Sequence, residues 1–151
     1  MKVTNYFDTD NKEHWIEEIK KSNWRAGPFL AKLLAEDRFF EEMGETSRVL
    51  LLTDGDKLVS YCTFAELDDI RPTDLTPWIG FVYTFPEYRG HRYAGILFDE
   101  VERLSREEGL EKVYLSTTHI GLYEKYGFEF FAMMEDIDGE PSRVYVKTFK
   151  L

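Results

Sequence analysis

Cysteine is nearly missing: Cys62 stands alone in 151 residues, so no internal disulfide can form. It falls in an apolar-patterned run with no histidine near it in sequence, so a buried, inert thiol is expected rather than a nucleophile. No apolar run approaches the roughly 20 residues that a membrane-crossing helix needs. The opening stretch "MKVTNYFDTDNKEHW" has no apolar core of a secretion signal. Positive charge is scarce, with 19 Lys and Arg against 29 Asp and Glu and a net charge of −10. General nucleic-acid binding needs a basic face that displaces counterions, and this composition argues against it. No Gly/Ser or Pro-rich linker, low-complexity tract or repeat appears. Residues 1–151 are therefore expected to form one domain, cytoplasmic, with no membrane or nucleic-acid partner.

What is present is a ring-rich globular composition, 43% hydrophobic and 16% aromatic, with enough chain for one sizeable core. "VTNYF" predicts a first strand. "NKEHWIEEIKKS" spaces Trp15, Ile16 and Ile19 on one helical face, with Asp10 or Asn11 placed to cap it. "WRAGPFLAKLLAEDRFFEEMG" predicts further helix, broken early by Gly27 and Pro28 and ended by Gly44. "SRVLLLTD" and "KLVSYCTFAEL", joined by "DGDK", predict a hairpin. "LDDIRPTDLTP" predicts a loop, and "WIGFVYTF" a third strong strand ended by Pro86.

The clearest helix is "GHRYAGILFDEVERLSREEG", with Tyr93, Ile96, Leu97, Val101 and Leu104 on one stripe and Gly109 as its stop. "KVYLSTT" predicts a strand. Thr117 or Thr118 is placed to cap a short helix in "HIGLYEKYG". "FEFFAMM" and "SRVYVKTF" predict two closing strands. The element order implies a mixed α/β domain, a mostly antiparallel sheet with one parallel pair, flanked by helices.

In this acidic chain "PEYRGHRYAG", Pro86 to Gly95, is unusually basic. It joins a strand to a helix N-terminus, where free N–H groups and the positive end of the helix dipole favour anions. Glycines let backbone approach an anion, and arginines add charge-assisted hydrogen bonds. The stretch reads as a pyrophosphate cradle, although an exposed basic turn has the same composition. It lacks the Gly-Lys-Ser/Thr ending of a Walker A loop and the G-x-G-x-x-G of a dinucleotide fold.

"VYTFPEYRGHRYAGILFDEVE" resembles motif A of the GNAT superfamily of N-acetyltransferases, a strand followed by R/Q-x-x-G-x-G/A and a helix. "GLYEKYGFEF", some thirty residues on, resembles the superfamily's second motif. The pair covers about Trp78 to Phe130. The resemblance implies the GNAT acyl-CoA N-acyltransferase fold, acetyl-CoA as co-substrate and no metal. Arg89, Gly90, His91, Arg92, Tyr93, Ala94 and Gly95 would then form the pyrophosphate loop. Val82, Tyr83 and Thr84 would pair their backbone with the pantetheine arm. Arg92 departs from the pattern, standing where its first glycine belongs. Ser116 and His119 stand where the family often has an asparagine and a small residue; Ser116 keeps a hydrogen bond for the cofactor in that reading, and His119 faces the substrate.

The reaction so implied is direct attack of a primary amine, on a small molecule or peptide, upon the thioester. It needs an amine freed of its extra proton, a donor for the oxyanion and a proton for the leaving thiolate. Tyr123 matches the motif tyrosine that often protonates the thiolate. Glu66 leads as base, because it ends the strand before the central one; His119 and a water chain are alternatives. Asp68, Asp69 and Asp74 would attract a cationic amine. Family members often form homodimers. The rival reading is a non-catalytic acyl-CoA-binding sensor or partner subunit.

Overall fold

Alternation along the central strands decides the architecture. In the computed structural model, which describes residues 1–149, β2 (Arg48–Asp54) and β3 (Lys57–Ala65) form the expected hairpin. Val49, Leu51, Tyr61 and Ala65 point to one face, and Leu50, Leu52, Cys62 and Phe64 to the other. Both faces are buried, which is why these strands read as unbroken apolar runs. Lys150 and Leu151, the end of the expected domain, lie outside the described residues.

Helices cover both faces. On one side lie α1 (Lys12–Lys20), α2 (Ala26–Ala35) and the short α3 (Phe39–Met43). Trp15, Ile19, Leu30, Leu33 and Phe39 seal that half of the core. On the other side α4 (Tyr93–Glu107) presses Leu97, Phe98 and Val101 onto the sheet. The remaining strands are β1 (Lys2–Asn5), β4 (Trp78–Thr84), β5 (Lys112–Thr117), β6 (Glu129–Glu135) and β7 (Pro141–Thr148). They complete one seven-stranded sheet of order β1-β2-β3-β4-β5-β7-β6. Among the described residues only β4 and β5 run parallel, as the crossover through α4 requires.

Three local expectations change. The helix expected to run on to Gly44 is cut after Ala35, because Asp37 takes a left-handed conformation (φ 60°) and the Arg38 N–H folds back onto the Leu33 carbonyl at 2.9 Å. Asn11 does not cap α1 through its side chain; its Oδ1 accepts instead from Trp15 Nε1 at 3.0 Å. The "HIGLYEKYG" helix shrinks to a 3-10 turn over Tyr123–Tyr126, and Thr117 Oγ1 accepts from the His119 N–H rather than capping it.

The feature that makes a site is a failure of pairing. β4 and β5 are in register only at Trp78–Tyr114 and Ile79–Leu115. Beyond Ile79, β4 bulges. Cys62 on β3 faces both Phe81 and Val82, and Phe81 takes φ 50°. The two parallel strands part there, opening the sheet from Gly80 to Thr84.

Candidate active site

One cleft, about 290 Å³, lies between the end of β4, the basic turn and the Tyr123–Tyr126 turn. Val82, Tyr83, Thr84, Arg89, Gly90, Arg92, Tyr93 and Ala94 line it. Gly90 adopts φ 88° and Arg92 φ 57°, so the backbone turns sharply just before α4. Arg92 thus takes a left-handed shape that glycine adopts most readily, and no side chain caps the helix N-terminus. Tyr93 and Ala94, the first residues of α4, line this basic cleft, so the helix start borders a fitting seat for phosphate. Arg92→Gly should keep or raise folding stability, by up to about 1 kcal/mol, because glycine carries no left-handed penalty; Arg92→Val should lower it. Thermal melts of the two variants check this.

Arg89 is held rather than loose. Its Nε donates to the Thr84 carbonyl at 2.9 Å, and its guanidinium lies 5.4 Å from the centre of the Tyr83 ring. Ser60 Oγ donates to the Tyr83 carbonyl at 2.7 Å and lies 2.9 Å from Thr84 Oγ1. The strand end is therefore braced from behind. His91 and Gly95 do not line the cleft. His91 stacks on Tyr93 with ring centres 5.2 Å apart. Gly95 is where α4 meets the Tyr126 ring; a Cβ there would come within 3.1 Å of it.

A second cavity, about 450 Å³, opens on the other side of the splayed strands. Trp24 and Ala26 cover it, with Asp68, Asp69, Gly80, Phe81 and Ser116 among its walls. Val82, His119 and Tyr123 line both spaces, so the two meet at these three residues. Tyr123 is buried, and burial raises its phenol to about 12, so it stays protonated near neutrality. Its hydroxyl has no hydrogen-bond partner among the described residues. Glu124 shapes the loop that presents it: both carboxylate oxygens accept from the Gly121 N–H at 3.1 Å, and Oε2 accepts from Tyr145 at 3.3 Å. Hydrogen bonds from backbone N–H groups hold this carboxylate below its ordinary range.

Two further expected site residues also lie off the basic cleft. β3 ends at Ala65, so Glu66 leaves the strand, and its Oε2 accepts from the Thr46 N–H at 3.0 Å. It packs where a Cβ on Gly44 would collide with it and lines neither space. Ser116 sits on the second cavity rather than the basic cleft, its hydroxyl 2.6 Å from that of Ser142. Cys62 is fully buried, and burial lifts its thiol to about 12, as an inert core sulfur requires.

Sequence reasoning missed the brace under the second cavity. Trp24 Nε1 donates to the Tyr61 hydroxyl at 2.8 Å, Ser22 Oγ lies 2.8 Å from the same oxygen, and the Asn23 N–H donates to the Tyr83 hydroxyl at 2.9 Å. Two core tyrosines thus fix the α1–α2 connection over the cavity. Polar residues in a short helix–helix break, with tyrosines on the central strands, were the available signal.

Residues 13–128 match the sequence pattern of the Acetyltransferase (GNAT) family. The chain belongs to the GNAT acetyltransferase family. Solved structures agree on the fold. Aminoglycoside 6'-N-acetyltransferase complexed with coenzyme A superposes with a TM-score of 0.68 at 16% identity, over 98% of this chain and 97% of that one. The aminoglycoside 6'-N-acetyltransferase of Enterococcus faecium gives 0.67 at 14%, over 98% and 97%. The acetyl transferase of Salmonella typhimurium that modifies the N-terminal serine of ribosomal protein L7/L12 gives 0.70 at 8%, over 98% and 94%. Comparison with curated protein sequences gives no match. No helix among the described residues of this GNAT protein is long and apolar enough to cross a membrane.

Proposed function

We propose that this GNAT protein is an N-acetyltransferase whose whole chain, 1–151, forms one catalytic unit moving acetyl from acetyl-CoA to a primary amine. The observation that carries this is the meeting of two cavities at Val82, His119 and Tyr123. One has a basic turn and an uncapped helix N-terminus suited to a pyrophosphate. The other carries carboxylates suited to an amine. A thioester carbonyl at the junction would be reached from both sides, so holding the two substrates in line supplies much of the catalysis. The amine nitrogen bonds to the carbonyl carbon, the C–S bond breaks with its electrons going to sulfur, Tyr123 gives its proton to that sulfur, and the proton lost from nitrogen restores the phenol. The bulge at Phe81 and Val82, where the register with β3 shifts, supports a backbone oxyanion donor at this point.

The reading is tested first by acetyl-CoA binding. At about 100 times its Kd the ligand should add roughly 2.7 kcal/mol, a rise of about 5–11 °C in melting temperature for a domain of this size. Arg89→Ala removes the cation that braces the strand end and should weaken binding tenfold or more by calorimetry. No heat and no thermal shift with wild-type protein would overturn both the transferase and the sensor readings. Binding without acetylation of any amine would leave the sensor.

A further inference from the structure

The second cavity holds a charge imbalance that the fold leaves open. Asp68 and Asp69 lie side by side on its wall, and neither carboxylate has an ion-pair partner among the described residues. The nearest cation is committed elsewhere. Arg71 Nε donates to the Asp68 main-chain carbonyl at 2.7 Å, and its Nη2 donates to the Glu42 carbonyl at 2.9 Å. Asp69 Oδ1 is fully buried, with no donor on it among the described residues. An orphaned buried oxygen is costly unless something completes it. The Asp68 carboxylate is seated against the β4 backbone at Gly80, where any Cβ would collide with Oδ1. Gly80 begins the splayed part of β4, so this carboxylate stands at the opened sheet, in the cavity that reaches Tyr123. Trp24 and Phe81 add aromatic faces to the same cavity, which suit a cation.

We infer that Asp68 and Asp69 form the acceptor site, taking a cationic primary amine, with Asp68 receiving the proton that the amine must lose. This rests on the acetyl-transfer reading above. The ammonium gives one proton to Asp68 and the freed lone pair forms the N–C bond. The C–S bond breaks with its electrons going to sulfur. Tyr123 protonates the sulfur and is reprotonated by the second proton from nitrogen. Asp68 then releases its proton to solvent, so the products are an amide, a free thiol and one proton. Asp69 holds the ammonium.

The surroundings suit this role. Protein encloses Asp68, although solvent reaches it through the cavity. Burial, then the neighbouring Asp69, raise its carboxyl to about 8, while Arg71 acts weakly the other way. Asp69 is raised by burial and by Asp136 on the β6–β7 turn, against the pull of Ser116. His119 and Tyr123 face the cavity from the β5 side, and Glu42 faces the pair from α3. A base near neutrality is matched to an ammonium donor.

The test uses the full chain with acetyl-CoA and three probes: spermidine, an aminoglycoside, and aniline, which is neutral at assay pH. Wild type should acetylate the first two, with kcat/KM rising with pH and levelling off near 8. Asp68→Asn should lose about 10²-fold at pH 7, keep its Kd for acetyl-CoA, and show a rise that continues to the amine's own pKa. Its deficit should shrink below tenfold at pH 10; a merely structural role would give a constant deficit. Asp69→Asn should raise KM more than it lowers kcat. Gly80→Ala should mimic Asp68→Asn in the wild-type background and add little to Asp68→Ala. A loss under threefold at pH 7, a deficit constant with pH, or acetylation of aniline but not of the cationic amines overturns the inference and leaves the transfer reading standing. Acetyl-CoA binding with no probe acetylated overturns both.

Discussion

Tyr123→Phe should lower kcat by about 10²- to 10⁴-fold, the range expected when a positioned proton donor is removed, while the Kd for acetyl-CoA changes less than threefold. The expectation rests on where the hydroxyl is. Tyr123 lines both cavities at their junction, and its ring is packed against Phe98 and Phe128 at 6.1 and 6.2 Å between centres. Phenylalanine keeps those ring contacts. The hydroxyl has no protein partner among the described residues, so its loss breaks no internal hydrogen bond, and stability should stay within about 0.5 kcal/mol of wild type. The pKa near 12 adds a second check. Activity should show no fall from tyrosine ionisation between pH 8 and 10, where an ordinary phenol would begin to lose its proton. Steady-state kinetics by thiol release, beside calorimetry of acetyl-CoA, reads both. A kcat within threefold of wild type would reduce Tyr123 to a wall of the cleft.

The largest effect on folding should come from Trp78→Ala. Trp78 is fully buried, packs on Tyr114 with ring centres 5.5 Å apart, and donates from Nε1 to the Leu75 carbonyl at 2.7 Å. It also sits at one of the two positions where β4 and β5 pair before they separate. Removing such a side chain costs about 3–5 kcal/mol from lost burial and the cavity left behind. That is a large part of a typical total of roughly 5–15 kcal/mol. Melting temperature should drop on the order of 10 °C. The damage should also reach the site, because the paired base of the open sheet is what holds the two cavity walls at a set distance. Acetyl-CoA should then restore less of the lost stability than it adds to wild type. A drop of under 3 °C would mean that the β3–β4 loop holds this corner without the indole.

Stability and activity should move in opposite directions at Asp68. Its carboxyl is raised well above an unfolded aspartate, so the folded state binds more protons than the unfolded one between pH 4 and 8. Stability from this group therefore falls as pH rises through that window. Asp68→Asn should melt higher than wild type above pH 8 and level with it near pH 4. An acceptor site kept at the expense of folding is a common arrangement for function.

Much of the fold was legible because its cues are local. The hairpin turn, the apolar stripe of α4 and the strand–helix–strand crossover are each written in a short stretch, and each element formed. The basic turn was legible for the same reason: charge, glycine and a helix start lie within ten residues. The local cues fall short where a distant residue decides the placement. Local pattern puts Glu66 at a strand end, but the strand stops one residue earlier and the Thr46 N–H draws the carboxylate away. Motif spacing puts Ser116 with the basic cleft, but its hydroxyl bonds to Ser142, 26 residues on, and it lines the second cavity.

The sequence by itself determined that this chain makes a helix-covered mixed sheet with a basic, glycine-containing turn ahead of α4, because period, capping and charge act over a few residues. Tertiary structure alone decided which carboxylates face the opened sheet. Asp68 reaches it because Gly80, twelve residues away and on another element, has no side chain to block the way. The cavity exists because β4 bulges at Phe81 and Val82 and parts from β5. Packing of distant segments fixes both, and no local rule of the chain encodes either.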